Sequence, residues 1–309
     1  MATLESIAGK NGCGTENSLT GKLGCQIEFG TPMHLFKLKK GLVIPKATVL
    51  DKSYLNSLIQ AGKLVPLVDA SSFEDLSGED SVSSNSRTVE RLNIQGLPKY
   101  KLTFEEGHEF YRQMAKLMSF KSADFLIGDE YGNLKMGVNS DGDFVGFSAG
   151  QVLPELTKNK VQGGDAESKS LTVQFLNRKQ FDEDYTIVTN EQLGFDLIEV
   201  QGANPVVLAF NSVPTDTDTT IEITAKLAAD KSTNVEGLVV ADFLVNVAGS
   251  SVVVSNLTEA NGVYTLTIPA VAVSEVVTVD LYDGSLNSGT ILNSGVLYGS
   301  DVASETVLA

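Results

Sequence analysis

The character of the chain breaks near Gly202. From there to Ala309 only two residues are basic, Lys226 and Lys231, against twelve acidic ones, and two of the fourteen phenylalanines fall in this stretch. The preceding 201 residues carry 21 basic and 27 acidic side chains. Within the last third, residues 206–211, 220–227, 238–247, 251–254, 263–268, 276–282 and 291–298 alternate or cluster Val, Ile, Thr and Tyr, with turn formers between them. β-Branched and aromatic runs of that length, punctuated so regularly, specify the strands of a sandwich. The break divides the chain into 1–201 and 202–309, each long enough to bury its own core.

Charge narrows the function classes. A formal net charge of −16 argues against a nucleic-acid surface, because phosphate binding needs clustered Lys and Arg to release counterions. An acidic lining that lets DNA pass without sticking is compatible with it. Residues 1–5 lack the basic and apolar character of a secretory leader, and no run of about 18 apolar residues is present, so neither a signal peptide nor a membrane span is expected. Cys13 and Cys25 read as reduced thiols, with a small closed loop as the alternative. Two cysteines do not complete a zinc site, and His34 and His108 have no ligand-like spacing to them.

Along the first part, residues 1–20 read as an irregular Gly-, Asn-, Ser- and Thr-rich arm. Strands are expected at 26–29 and 35–44, the second interrupted by Lys37-Leu38-Lys39-Lys40-Gly41. Asp51 can cap a helix over 52–61 that places Tyr54, Leu55, Leu58 and Ile59 on one face and stops at Gly62. Residues 70–88 are polar and acidic and read as a long mobile loop, of the kind a neighbouring subunit orders. After a strand at 99–104, a helix over 105–120, the longest expected, sets Phe110, Met114, Leu117 and Met118 at helical spacing, with Glu105, Glu106 and Glu109 early and Lys116 and Lys121 late to suit the macrodipole. A meander of strands at 124–128, 134–138 and 144–147 follows. After a polar stretch at 157–167 comes a strand at 170–176 with Leu171, Val173 and Phe175 on one face. The fold class is mostly β: an α+β first domain made of a β-sandwich with one packed helix, followed by a second β-sandwich.

The catalytic motifs fail on their own terms. Gly146-Phe147-Ser148-Ala149-Gly150 matches a nucleophile elbow, but such an elbow needs a following helix and a later histidine. Here Gln151-Val152-Leu153-Pro154 follows and both histidines precede it, so the glycines are assigned to a strand-end turn that needs φ > 0. His108-Glu109 has Arg112 where a zinc-protease helix has its second histidine. Asn139-Ser140-Asp141-Gly142-Asp143 begins like a calcium loop, but Gly150 stands where the bidentate Glu belongs, so a hairpin turn is the reading. Asn256-Leu257-Thr258 fits a glycosylation sequon, and Gly163-Gly164-Asp165 lacks the Lys of a P-loop. No catalytic, cofactor-binding or metal-ligating residue is assigned, and no enzyme activity is expected.

In the last third, Asn261-Gly262-Val263-Tyr264-Thr265-Leu266-Thr267-Ile268 is similar to the Gly-x-Tyr-Thr-x-Thr strand of bacterial and phage immunoglobulin-like domains. The strand 276–282 follows it as a closing partner would. The layout of residues 1–201, with its helix at 105–120, meander at 124–147, strand at 170–176 and polar 70–88 segment, resembles the tail tube subunits of long-tailed phages. That resemblance implies a structural virion protein made in the bacterial host cytoplasm, whose copies stack as rings, hexameric in that family, around a DNA conduit, with the last domain outside. The implied partners are further copies of the chain and other virion proteins, with DNA in non-specific passage and no membrane. Phe125, Ile127, Leu134, Met136, Phe144, Phe147, Leu171, Val173 and Phe175 are the expected subunit-interface or tube-lining residues. A capsid-associated, neck or head-decoration protein is the alternative, and an adhesive or carbohydrate-binding surface protein the second; the absence of Trp speaks against sugar stacking.

Overall fold

The computed structural model describes residues 3–4, 29–84, 90–94, 96–118, 123–155, 167–286 and 288–309. The expected strand at 26–29 lies outside them except for Phe29, as do most of the 1–20 arm, both cysteines and nearly all of the 157–167 stretch. The chain groups into two compact units, residues 1–55 with 63–201, and 202–309 with the short segment 56–62. The fold is mostly β.

In the first unit one antiparallel sheet rolls up on itself. Strand Pro32–Leu38 pairs with Ala123–Asp129, which pairs with Phe147–Pro154, then Lys169–Phe175, Lys99–Phe104 and Ser72–Asp75. On its other edge Pro32–Leu38 pairs with Leu64–Leu67. The segment 64–75 therefore serves both ends of the sheet. Its first half bonds to one strand, its second half to another, and the crossing is made at Ala70 and Ser71, whose N–H groups donate to Met33 O at 2.9 Å and Thr103 O at 2.7 Å. Asp69, just before the crossing, takes a left-handed φ of 62°. The hydrogen-bond circuit closes into a small barrel, which removes edges that would otherwise invite pairing with foreign strands.

Period-2 alternation fills that barrel. Leu102, Phe104, Phe125, Ile127, Phe147, Leu171, Val173 and Phe175 form one buried cluster with Phe181. Strand Ala123–Asp129 is buried along its whole length, with Leu126 and Asp124 covered on the face opposite Phe125 and Ile127. A side branch grows from its far half: Leu134–Val138 pairs with it, then with Phe144–Val145 and Tyr185–Val188.

Helix Lys52–Gln60 starts where Asp51 Oδ1 accepts the Tyr54 N–H at 2.7 Å, and ends before Gly62 at φ 63°. The second helix is His108–Ala115, shorter than the expected 105–120, and Lys52–Gln60 at nine residues exceeds its eight. Glu105 and Glu106 stay outside because Gly107 is the cap and the Glu106 N–H donates to the Tyr111 hydroxyl at 2.8 Å. The buried face is Tyr111, Met114 and Leu117, while Met118 is exposed. Residues 119 and 120 lie outside the described residues.

Three further expectations for this unit are corrected. The 35–44 strand is two strands, Pro32–Leu38 and Val43–Ile44, separated by the turn at Gly41, φ 72°. The strand at 144–147 breaks at Gly146 and its second part runs on to Pro154. The 70–88 segment contains two strands: Ser72–Asp75 closes the barrel, and Ser81–Ser84 pairs with Glu90–Ile94, while residues 85–88 lie outside the described residues.

The second unit is a two-sheet sandwich. One sheet holds Asn204–Phe210, Thr220–Leu227, Asn256–Ala260, Val263–Thr267, Thr290–Asn293 and Val296–Ser300; the other holds Phe243–Val247, Ser250–Val252, Val276–Leu281 and Ala303–Thr306. Asn256–Ala260 and Ala303–Thr306 were not expected. The expected strand 291–298 is a hairpin, turned at Ser294 and Gly295 with φ of 51° and 83°. Ala248-Gly249 and Asn261-Gly262 make the same doubly left-handed turn, which matches the twist of the strands it joins. The core is aliphatic, built on Ile223, Val245, Leu266, Val277, Val279 and Leu281 around Tyr264. The buried Tyr264 hydroxyl donates to Val235 O at 2.7 Å and accepts from the Leu238 N–H at 3.3 Å, and burial raises its pKa to about 12.

Candidate assembly ribbon

The barrel closure leaves one element over. Beyond Asp75 and Tyr100 the two closing strands continue as a ribbon: Leu76 N–H donates to Lys99 O, Gly78 N–H to Leu97 O, and Ser81–Ser84 pairs with Glu90–Ile94. These last two strands form a sheet of their own, with no third strand among the described residues. At about 3.3 Å per residue, the four strand positions Ser81–Ser84 extend the chain roughly 13 Å beyond an irregular root. A two-stranded hairpin is marginal in water by itself, so a ribbon of this length has pairing capacity that the single copy does not use.

Its base is firmly held. Phe73 stands edge-on to Tyr100 with ring centroids 4.9 Å apart, and Tyr100 meets Phe175 and Phe181 the same way. Glu74 pairs with Lys101 at 2.8 Å on the outer face. Helix Arg178–Asp182 braces the spot: Asn177 caps it by accepting the Gln180 N–H at 3.1 Å, and Phe181 is buried against Phe147 and Phe175. Lys135 Nζ donates to Phe181 O at 2.9 Å and lies 4.2 Å from the Phe181 ring centroid and 4.1 Å from that of Tyr185. Burial brings the Lys135 pKa down to about 8.

The nine residues assigned from sequence to an interface or lumen are all buried inside one copy. Phe125, Ile127, Phe147, Leu171, Val173 and Phe175 are brought together in the barrel cluster; Leu134, Met136 and Phe144 are buried apart from it. Side chains without exposed surface hold the barrel together, and a second copy would meet other residues. The ribbon was missed because its strands are mostly polar. The available signal was alternation in Glu90-Arg91-Leu92-Asn93-Ile94 after the Asn85-Ser86 turn formers.

The motifs weighed for chemistry have structural occupations. Ser148 lies in a strand and its Oγ donates to Asp124 Oδ1 at 2.8 Å, while that carboxylate's other oxygen accepts the Gly41 N–H at 2.6 Å. Gly146 and Gly150 do not have positive φ, contrary to expectation. They are needed for close approach: a Cβ on Gly146 would sit 2.8 Å from Phe125 N, and one on Gly150 2.5 Å from Leu176 Cδ2. Asn139 Oδ1 accepts the N–H groups of Asp141 and Asp143, each at 2.9 Å, making the expected turn. His34 Nδ1 accepts the Asp69 N–H at 2.9 Å, and burial lowers its pKa although Asp69, Asp196 and Asp129 pull the other way. His108 begins its helix, with Nδ1 3.4 Å from Glu167 Oε1. Among the described residues no three His, Cys, Asp or Glu side chains are grouped to hold a metal, and no helix is long and apolar enough to cross a membrane.

No protein-family model matches the chain, and no curated protein matches it. Several solved structures are distantly similar, three of them as follows. The anti-feeding prophage cap, which terminates the tube, is 12% identical with a TM-score of 0.26 over 56% of this chain and 99% of the cap chain. A protein of the Bacteroides ovatus mixed-linkage glucan utilization locus (SGBP-B), in complex with a heptasaccharide, is 12% identical with a TM-score of 0.20 over 95% of this chain and 68% of its own. A polysaccharide lyase is 9% identical with a TM-score of 0.21 over 91% and 40%. Similarities this weak carry no argument about function.

Proposed function

We propose that this chain is a structural protein that works by self-association: a subunit of a phage tail tube that stacks as rings around a DNA conduit in a virion. The observation that carries the reading is the ribbon built on residues 76–84 and Glu90–Ile94, which leaves a closed barrel and, among the described residues, pairs as strands only with itself. A strand pair that extends beyond the barrel with no third strand among the described residues offers backbone N–H and C=O groups to a matching copy. The net charge of −16 suits a conduit through which a polyanion slides without adhering. The accounted-for contacts of Ser148 and His34 favour structure over chemistry.

The test removes the ribbon and spares the barrel. Replacing residues 79–96 with Asn-Gly joins Gly78 to Leu97 by a two-residue hairpin turn. Negative-stain microscopy and sedimentation of the concentrated full-length chain are expected to show rings or tubes. The shortened chain is expected to keep its circular dichroism spectrum and remain monomeric. Unaltered rings from the shortened chain, or a full-length chain that stays monomeric, would overturn the proposal.

A further inference from the structure

The root of the ribbon is irregular, and one side chain spans it. Gly96 lies so close to the other strand that a Cβ there would stand 1.8 Å from Gly78 O, and the register shifts between Ser81 and Val82. Where a strand carbonyl would ordinarily accept, Asp80 Oδ1 takes the Gly96 N–H at 2.8 Å. A ladder broken in this way, with a glycine on each strand, can bend. Arg178 reaches it from outside: Nη1 donates to Asp80 Oδ1 and, at 3.3 Å, to Gly96 O, while Nε donates to Asp182 Oδ2 at 3.0 Å. The guanidinium thus touches both strands of the ribbon and its own helix. That helix cannot drift, because Phe181 is sunk in the aromatic cluster and its carbonyl is held by Lys135.

We propose that Arg178 is a positioning residue that fixes the direction in which the ribbon leaves the barrel, so that the ribbon is already aimed before a second copy arrives. The planar fork matters here, since a lysine ammonium has three donors but no rigid plane with which to hold two strands and a helix in one geometry. Fixing the hinge in advance removes an ordering cost from association. The proposal rests on the self-association reading for its consequence, although the latch itself is a property of the single copy.

The experiment compares the full chain with Arg178→Gln and Asp80→Asn. In dilute, unassembled protein, hydrogen exchange at the Leu76, Gly78 and Gly96 amides is expected to quicken at least about tenfold in both variants, with the barrel amides of residues 123–129 unchanged. At higher concentration the threshold for ring formation is expected to rise by about tenfold. Unchanged exchange at the ribbon root in both variants would overturn the latch. A quickened root with an unchanged ring threshold would overturn its role in aiming the ribbon. If the unsubstituted chain forms no rings at any concentration, the self-association reading fails while the exchange measurement still decides the latch.

Discussion

The two units solve the problem of sheet edges differently. The second lays its strands in two sheets, within which hairpin turns dictate their own geometry, as at Ala248-Gly249, Asn261-Gly262 and Ser294-Gly295. Its aliphatic core is organised around one buried tyrosine hydroxyl. The first unit closes by long-range pairing: the 64–75 segment joins strands distant in sequence around a cluster of phenylalanines, and the closure leaves a ribbon over. Locally specified hairpins finish a domain. Non-locally specified closure finishes a barrel and frees chain for other uses.

Three substitutions test how far that contrast holds. The largest effect is expected from Val173→Asp, which places an unpaired carboxylate in the phenylalanine cluster; about 3–5 kcal/mol is lost when nothing compensates such a charge. Hydrogen exchange should show the barrel strands losing protection together, and loss confined to strand Lys169–Phe175 would mean that closure is not cooperative. In the second unit, Tyr264→Phe strands the Val235 carbonyl and the Leu238 N–H and is expected to cost about 1–3 kcal/mol in urea unfolding. A neutral result would mean that the hairpins alone specify the sandwich.

The smallest effect concerns the corner of the barrel. The folded state holds the His34 pKa below its ordinary 6.5, chiefly through burial, so the unfolded chain binds the proton more readily. The contribution of His34 to stability is therefore complete above about pH 6.5 and is lost as pH falls from there toward the folded value. His34→Asn keeps an acceptor for the Asp69 N–H and is expected to flatten the fall in unfolding midpoint between pH 6.5 and 5. An equally steep fall in the variant would assign the acid sensitivity to other groups.

Much of this was legible in the residues, for identifiable reasons. The alternation of Leu171, Val173 and Phe175 marks a half-buried strand whatever lies around it, and the Asp51 cap with the Gly62 stop fixes a short helix. Asn256–Ala260 was missed because its exposed edge position lets it use polar residues, and the 290–300 hairpin because Ser294-Gly295 is a weaker turn signal than Asn261-Gly262. The nine residues assigned to an interface or lumen are all buried within one copy, and inward and outward faces of a closed sheet look alike in sequence. The Arg178 contacts to Asp80 and Gly96 join residues more than eighty positions apart, and no local pattern announces such a meeting.

The serine-rich make-up of residues 81–86 has a bearing on what a newly made chain sticks to. An exposed strand pair rich in valine or isoleucine would stick to any greasy surface it met and clump soon after synthesis. Hydroxyl and charged side chains gain little from such encounters, so only a correctly registered backbone match is rewarded. Under the proposed self-association, copies would accumulate in solution and pair only where a matching backbone is presented.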